Sequence, residues 1–300
     1  MEKNNLFSVS VVIPTYNRQR TIERSVYSVL NQTYTVDQVI IIDDNSTDNT
    51  LAILSKIKDP RLILKKLETN SGACVARNCG IDLANGRLIA FQDSDDEWLP
   101  TKIEEQVKII KEKNADIVCS SYLQIYNGKE RLIPAYAFDG FLKHENIIGR
   151  NMVSTQCILG KAECFKKIRF NNNLLRLQDW NLALDLLSHY NLWFMAKPLV
   201  RVYLQEDSIS MKPERLLPSL EIIYETHRDL IDGNLAFRKK WLNTLASSKF
   251  ACHLCPEQEF KESLMISWDK ETFLKLLLYK LGLLRFALKA RTQIKTKIFS

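Results

Sequence analysis

The sequence predicts an α/β protein: a mostly parallel central sheet flanked by helices, followed by a helical C-terminal extension. Two observations carry this. Short, continuous apolar runs alternate with stretches whose apolar residues recur at helical steps, and that alternation builds parallel sheets with crossover helices. Beyond Pro213 only the helical spacing continues. The expected division is therefore a sheet domain over residues 1–212 and a helical region over 213–300 with a basic amphipathic tail.

The elements follow in order. Val9 to Ile13 is an apolar run stopped by Pro14, as expected of a strand buried on both faces. Ile22, Val26, Val29 and Leu30 mark a helix, with Thr21 as its candidate cap. Val39 to Ile42 is a second buried strand, Leu51 to Ile57 a helix and Leu62 to Leu64 a short strand. A loop and helix over SGACVARNCGIDLANG close at Gly86, and Arg87 to Gln92 forms the fourth strand. A helix from Pro100 to Lys111 and a strand from Asp116 to Tyr122 follow. From Ser120 to Asp207 the periodicity weakens, and the informative piece is Gln178-Asp179 ahead of a Leu-rich helix.

Composition excludes several classes. The chain has 300 residues, enough for a sizeable core, and an ordinary apolar fraction of 46%. No apolar run reaches the roughly 18 residues of a membrane span, and the N-terminus does not read as a signal peptide; a cytoplasmic protein is expected. Seven scattered cysteines, an odd number, suit reduced thiols. Cys252 and Cys255 have zinc-like spacing without a second pair and read as incidental.

Open sheets of this kind bind ligands beyond the C-terminal ends of their strands. The first, second and fourth strands end in Pro14-Thr15-Tyr16-Asn17, Asp43-Asp44-Asn45-Ser46 and Asp93-Ser94-Asp95-Asp96. The sheet brings these clusters to one edge. Carboxylates two residues apart on a turn suit a hard divalent cation, Mg2+ or Mn2+. No glycine-rich phosphate loop is present, so a diphosphate here would be neutralised by metal instead of backbone amides. Read alone, Asp43-Asp44 also suits a solvated turn leading to a cap at Ser46 or Thr47, and Asp179 suits a helix cap.

The series VSVVIPTYNR, LNQTY, QVIIIDDNSTDNT and NSGACVARNCGIDLANGRLIAFQDSDDEWLP resembles glycosyltransferase family 2, closely from Val9 to Pro100 and more loosely through Asp179 to about Ser210. The resemblance implies the GT-A fold, Rossmann-like, and a nucleotide-diphosphate-sugar donor, with UDP the expected nucleotide. It implies nucleotide contacts from Pro14, Thr15, Tyr16, Asn17, Asp44, Arg77, Asp93 and Ser94. Asp93 and Asp95 form the DxD pair that holds Mn2+ or Mg2+. Asp179 matches the catalytic base, and Asp96, Gln178 and Trp180 fall toward sugar or acceptor. Trp98 and Trp180 also read as packing residues. One base opposite a leaving diphosphate implies direct displacement with inversion.

Two departures stand out. Gln178 replaces the usual Glu before the base. Gln205 stands where members often carry a His, three residues before Ser208. The second motivates an alternative: a catalytically silent homologue that binds a nucleotide sugar or a partner enzyme. The net charge of +7 concentrates in the tail, where residues 271–300 hold seven Lys/Arg against Glu271 alone. Leu274, Leu277, Leu278, Leu281, Leu284 and Leu288 recur there at helical steps. This suits an amphipathic helix on an anionic membrane surface, at the inner face of the cell membrane, or a terminal helix packed on the protein itself. A glycan or lipid-linked glycan is the acceptor the resemblance implies. Sparse aromatics argue against nucleic acid.

Overall fold

The computed structural model describes residues 7–204 and 213–284. The chain divides into two compact units, one of residues 7–147 with 151–204 and one of 148–150 with 213–284.

The first unit runs β1 (Val9–Thr15), α1 (Ile22–Leu30), β2 (Gln38–Asp43), α2 (Thr50–Leu54), β3 (Leu62–Lys66), α3 (Ala73–Leu83), β4 (Leu88–Phe91), β5 (Glu97–Trp98) and α4 (Lys102–Lys113). It continues with β6 (Ile117–Tyr126), β7 (Lys129–Ile133), β8 (Gly140–Phe141), α5 (His144–Ile147), β9 (Ile158–Lys161), α6 (Ala162–Lys167), α7 (Gln178–Leu187) and β10 (Leu192–Tyr203). The sheet order is β3-β2-β1-β4-β9-β6-β10-β5, with β7 beside β6 and β8 beside β10. β3, β2, β1 and β4 are mutually parallel, as are β6 and β10. β9 enters antiparallel between β4 and β6.

The apolar runs form the core because helices cover both faces of these strands. Val11, Val12, Ile13, Ile40, Ile42, Ile89, Ala90 and Phe91 are fully buried, and each of the Val, Ile and Phe side chains contributes about 1.5–3 kcal/mol. Four expectations are corrected. β1 passes through Pro14 to Thr15, in register with Ile42 and Asp43. β4 pairs with β1 only as far as Val12, so Pro14 has a strand on one side only, where a missing N–H is tolerated. Thr21 takes the N-cap position of α1 without a side-chain cap bond, because its ψ of −26° lies outside the extended range that aims a cap side chain at the second and third N–H groups of a helix. α2 stops at Leu54, where Lys56 and Ile57 close tighter turns on Ile53 and Leu54. The N-cap of α7 is Leu177, in a left-handed conformation, and Asp179 lies inside the first turn.

Two glycines set the approach of α3 to β1. A Cβ on Gly80 would lie 2.3 Å from Cγ1 of Val12, so only glycine lets the helix lie this close. Gly72, at φ +92°, turns the chain into the helix.

The second unit contains α8 (Leu216–Thr226), α9 (Arg228–Asp232), α10 (Leu235–Ala251), α11 (Glu257–Ile266) and α12 (Lys270–Lys280). Ala246, Phe260, Leu276 and Leu284 form a small core, against which Phe250, Leu264, Leu278 and Tyr279 pack. The Leu stripe expected on one face is divided: Leu278 and Leu284 face this core, while Phe273, Leu274, Leu277 and Leu281 are exposed. Leu288 and the rest of the basic tail lie outside the described residues, as does Gln205. No helix among the described residues is long and apolar enough to cross a membrane.

Candidate active site

The C-terminal ends of β1, β2 and β4 converge through side chains that hold neighbouring loops. The Asn17 N–H donates to Ser46 Oγ at 3.0 Å and its Oδ1 accepts from the Thr47 N–H at 2.8 Å, which ties the β1 loop to the β2 loop. Thr15 is buried, with an unpartnered Oγ1, and Pro14 is buried beside it. Tyr16 stands out from the edge at 40% exposure. Asp44 accepts from the N–H groups of Ser71 and Gly72 at 2.7 and 2.8 Å, one on each carboxylate oxygen. It thereby fixes the turn that leads into α3.

α3 then delivers Arg77. This guanidinium is nearly buried, donates to Asp93 Oδ1 at 2.7 Å and to Gln178 Oε1 at 2.8 Å, and lies over the Phe170 ring at 5.3 Å. Burial opposes its charge, but Asp93 and Asp179 outweigh burial and raise its pKa. Arg77 thus joins the turn after β4 to the first turn of α7, 101 residues downstream.

The acidic run after β4 coexists because each carboxylate is compensated differently. Asp93 pairs with Arg77. Asp95 Oδ2 faces Arg18 Nε at 3.4 Å. Glu97 accepts from the Tyr203 hydroxyl at 2.7 Å. Ser94 is buried between them. Asp96 corrects the expectation of a sugar contact: it is 3% exposed, accepting from the Tyr203 N–H at 3.0 Å and Gln156 Nε2 at 2.8 Å. Burial, then Asp95 and Asp93, raise its pKa well above the ordinary carboxylate value. Its place inside follows from β10 and the Thr155–Cys157 turn closing over it. Arg24 holds this run from α1, donating to the Asp95 carbonyl and stacking over Tyr203 at 3.8 Å, while Ser25 Oγ donates to the Asp93 carbonyl at 2.9 Å.

Asp179 is half-buried in the first turn of α7 and accepts from the Trp180 N–H at 2.8 Å. Burial pushes its pKa up to about 6, against the Trp180 bond, Arg77 and a hydrogen bond from Asn151. A base titrating near neutrality suits proton abstraction. Gln178 accepts from Arg77 and donates to the Leu174 carbonyl at 2.9 Å; a Glu there would lose the second bond. Trp180 is corrected to a packing residue, 3% exposed with its indole N–H on the Ile147 carbonyl at 2.8 Å. The helical period turns it away from Asp179 into the core.

Asp93 and Asp95 offer oxygen donors only, which fits a hard divalent cation. Among the described residues no group of three or more His, Cys, Asp or Glu gathers to hold a metal. Two carboxylates suffice where phosphates and waters complete the shell. Sequence reasoning missed Arg18, Arg24, Ser25 and Asn151. Arg24 meets its partner 71 residues away, a contact with no local signal; Arg18, just past the first polar cluster, was within reach of it.

The family model "Glycosyl transferase family 2" matches residues 10–171. An Escherichia coli protein, UDP-Glc:alpha-D-GlcNAc-diphosphoundecaprenol beta-1,3-glucosyltransferase WfaP, is 42% identical over 146 residues, 46% of this chain and 57% of that protein. TuaG of Bacillus subtilis, a glycosyltransferase named for teichuronic acid biosynthesis, is 32% identical over 65% of this chain and 89% of its own length. The chain thus spans little more than half of one relative and most of the other. A crystal structure of S. aureus TarS in complex with UDP-GlcNAc superposes with a TM-score of 0.67 at 21% identity, covering 92% of each chain. The fold and these matches lead to one conclusion: the chain belongs to glycosyltransferase family 2, with the GT-A fold.

Proposed function

We propose that this protein transfers a sugar from a UDP-linked donor to a hydroxyl of a lipid-linked glycan, with inversion, during cell-surface polysaccharide synthesis. The observation that carries this reading is the Arg77 bridge. It links Asp93 of the DxD turn to the helix turn bearing Asp179, so a diphosphate at the first is within reach of a base at the second. WfaP, by its name, uses UDP-Glc and a diphosphoundecaprenol-linked acceptor, and TarS binds UDP-GlcNAc; both support this donor class.

Asp93 and Asp95 would hold Mn2+ or Mg2+, which when bound draws charge from the leaving diphosphate. Arg77 adds a fixed positive charge behind Asp93. Asp179, ionised above about pH 6, takes the proton of the acceptor hydroxyl as it attacks the anomeric carbon. No protein acid is needed, because a diphosphate leaves as an anion. Tyr16, exposed at the end of β1, and the Asp44 turn line the nucleotide side. The exposed apolar face of α12 and the basic residues after it would hold the enzyme against an anionic membrane, where a lipid-linked acceptor resides.

Thermal-shift titration with UDP, GDP, CDP and dTDP, each with and without Mn2+, tests the site. Ligand stabilisation follows RT ln(1 + [L]/Kd), so a ligand at 100-fold its Kd adds about 2.7 kcal/mol. The expected result is a Mn2+-dependent rise with UDP that Asp95→Ala abolishes. No rise with any diphosphate would favour the silent homologue.

A further inference from the structure

Tyr203, half-buried at the end of β10, reaches three consecutive residues of the turn that carries the DxD pair. Its N–H donates to Asp96 Oδ1 at 3.0 Å, and its hydroxyl donates to Glu97 Oε2 at 2.7 Å. Its ring lies 3.8 Å from the Arg24 guanidinium, which donates to the Asp95 carbonyl. The strand register explains the first contact. β10 pairs with β6 through Tyr203, but with β5 only as far as Arg201 opposite Glu97. Past that point the N–H of Tyr203 meets the Asp96 carboxylate where a strand would otherwise lie.

The link through Arg24 bears most directly on the metal-binding turn. Arg24 Nε is buried without a hydrogen-bond partner. The guanidinium is therefore supported by the Asp95 carbonyl at its edge and the Tyr203 ring on its face. An aromatic face attracts a guanidinium and sets its plane, and that plane decides where Nη2 points. Ser25 Oγ holds the Asp93 carbonyl at 2.9 Å. Two carbonyls held at alternate residues fix the backbone from which the Asp93 and Asp95 side chains leave.

We propose that Tyr203 is a positioning residue for the metal-binding turn: its ring orients Arg24, and Arg24 holds the Asp95 backbone so that the DxD carboxylates can share one divalent cation. The inference rests on the donor reading above and adds a residue that acts without touching substrate or metal. The ring carries the effect more than the hydroxyl does, because Glu97 has a second partner in Arg201 Nη1 at 3.7 Å. The Asp96 contact comes from the backbone, so a change of the Tyr203 side chain leaves it in place. Nothing local in the sequence marks Tyr203, since Asp96 lies 107 residues away.

The test counts bound Mn2+ through the EPR signal of free Mn2+, with the full chain in saturating UDP. Residues that orient metal ligands are worth about 10- to 100-fold in metal affinity. Tyr203→Leu should weaken Mn2+ binding by about 10-fold, whereas Tyr203→Phe, which keeps the ring, should stay within about twofold of wild type. Arg24→Met should match Tyr203→Leu. The double variant should lose no more than either single one, since both act through the Asp95 carbonyl. A role confined to packing predicts lower melting temperatures with Mn2+ affinity unchanged, and that result overturns the proposal. Losses that multiply in the double variant overturn it too, as does a Tyr203→Phe loss as large as that of Tyr203→Leu. If Tyr203→Leu does not fold, wild-type Mn2+ affinity in Arg24→Met overturns it equally. Wild type that binds neither Mn2+ nor UDP overturns the donor reading and this inference together; wild-type binding with unaffected variants overturns this inference alone.

Discussion

The burial of Asp179 costs stability at neutral pH. Its pKa is raised from the ordinary 3.8 to about 6, chiefly by burial. The folded state therefore binds this proton more tightly than the unfolded chain does. The associated stability is fully present below pH 4 and is lost as pH rises from about 4 to 6. At neutral pH the ionised carboxylate costs about 1–2 kcal/mol, allowing for solvent at its half-exposed edge. Asp179→Asn keeps an oxygen for the Trp180 N–H and removes the charge. It should raise the melting temperature at pH 7.5 and leave it unchanged at pH 4, while kcat falls by about 10²- to 10⁴-fold. The wild-type kcat/KM should decline below about pH 6 with a single proton. Equal melting temperatures at both pH values, or a profile flat from pH 5 to 8, would remove Asp179 from the role of base.

At the scale of elements, the strands that position the site were legible because they are buried on both faces. Val39 to Ile42 has no polar interruption and Val9 to Ile13 only Ser10, so a nearly continuous apolar run was enough. β9 was not legible, since Ile158–Lys161 holds only three apolar or small residues before Lys161 and its antiparallel entry between β4 and β6 depends on distant partners. The polar clusters at the strand ends were visible, but not which members turn inward: Asp96 and Asp95 are adjacent, and the closure of β10 and the Thr155–Cys157 turn over Asp96 separates their fates. Trp180 failed for a related reason, as one helical step of about 100° divides the site-facing from the core-facing side. The packing of α3 on β1 gives an element-scale prediction. Gly80→Ala places a methyl 2.3 Å from Val12 Cγ1. Overpacking of this kind costs about 1–3 kcal/mol, and here the shift of α3 also moves Arg77. Chemical denaturation should report the loss in stability, and UDP binding in Mn2+ should weaken more than the stability loss alone requires. Ala76, on the same helix and fully buried, changed to Gly should destabilise comparably without that excess. A Gly80→Ala protein with normal UDP affinity would mean that the approach of α3 does not set the position of Arg77.

At the scale of the whole molecule, the second unit has an apolar face that its own core does not need. Leu276 and Leu284 are buried there, whereas Phe273, Leu274, Leu277 and Leu281 remain 41–61% exposed, with Trp268 at 68% beside Phe273. The sequence that follows, residues 285–300, carries Arg285, Lys289, Arg291, Lys295 and Lys297 and no acid. Near an anionic surface each basic residue contributes about 1 kcal/mol, and the apolar face adds burial at about 25 cal/mol per Å². Together they would make a two-part signal of the kind that stable peripheral anchoring takes. The full chain should sediment with vesicles containing phosphatidylglycerol at 0.1 M salt, and release should follow as salt rises and the Debye length shrinks from about 10 Å. Changing Phe273, Leu277 and Leu281 together to Ser should weaken sedimentation at least fivefold while UDP binding in Mn2+ stays at the wild-type value, because every residue of the donor site belongs to the other unit. Equal binding to phosphatidylcholine vesicles would leave the basic residues without a part in it, and no binding to either would assign the exposed face of α12 to a protein contact instead of a lipid surface.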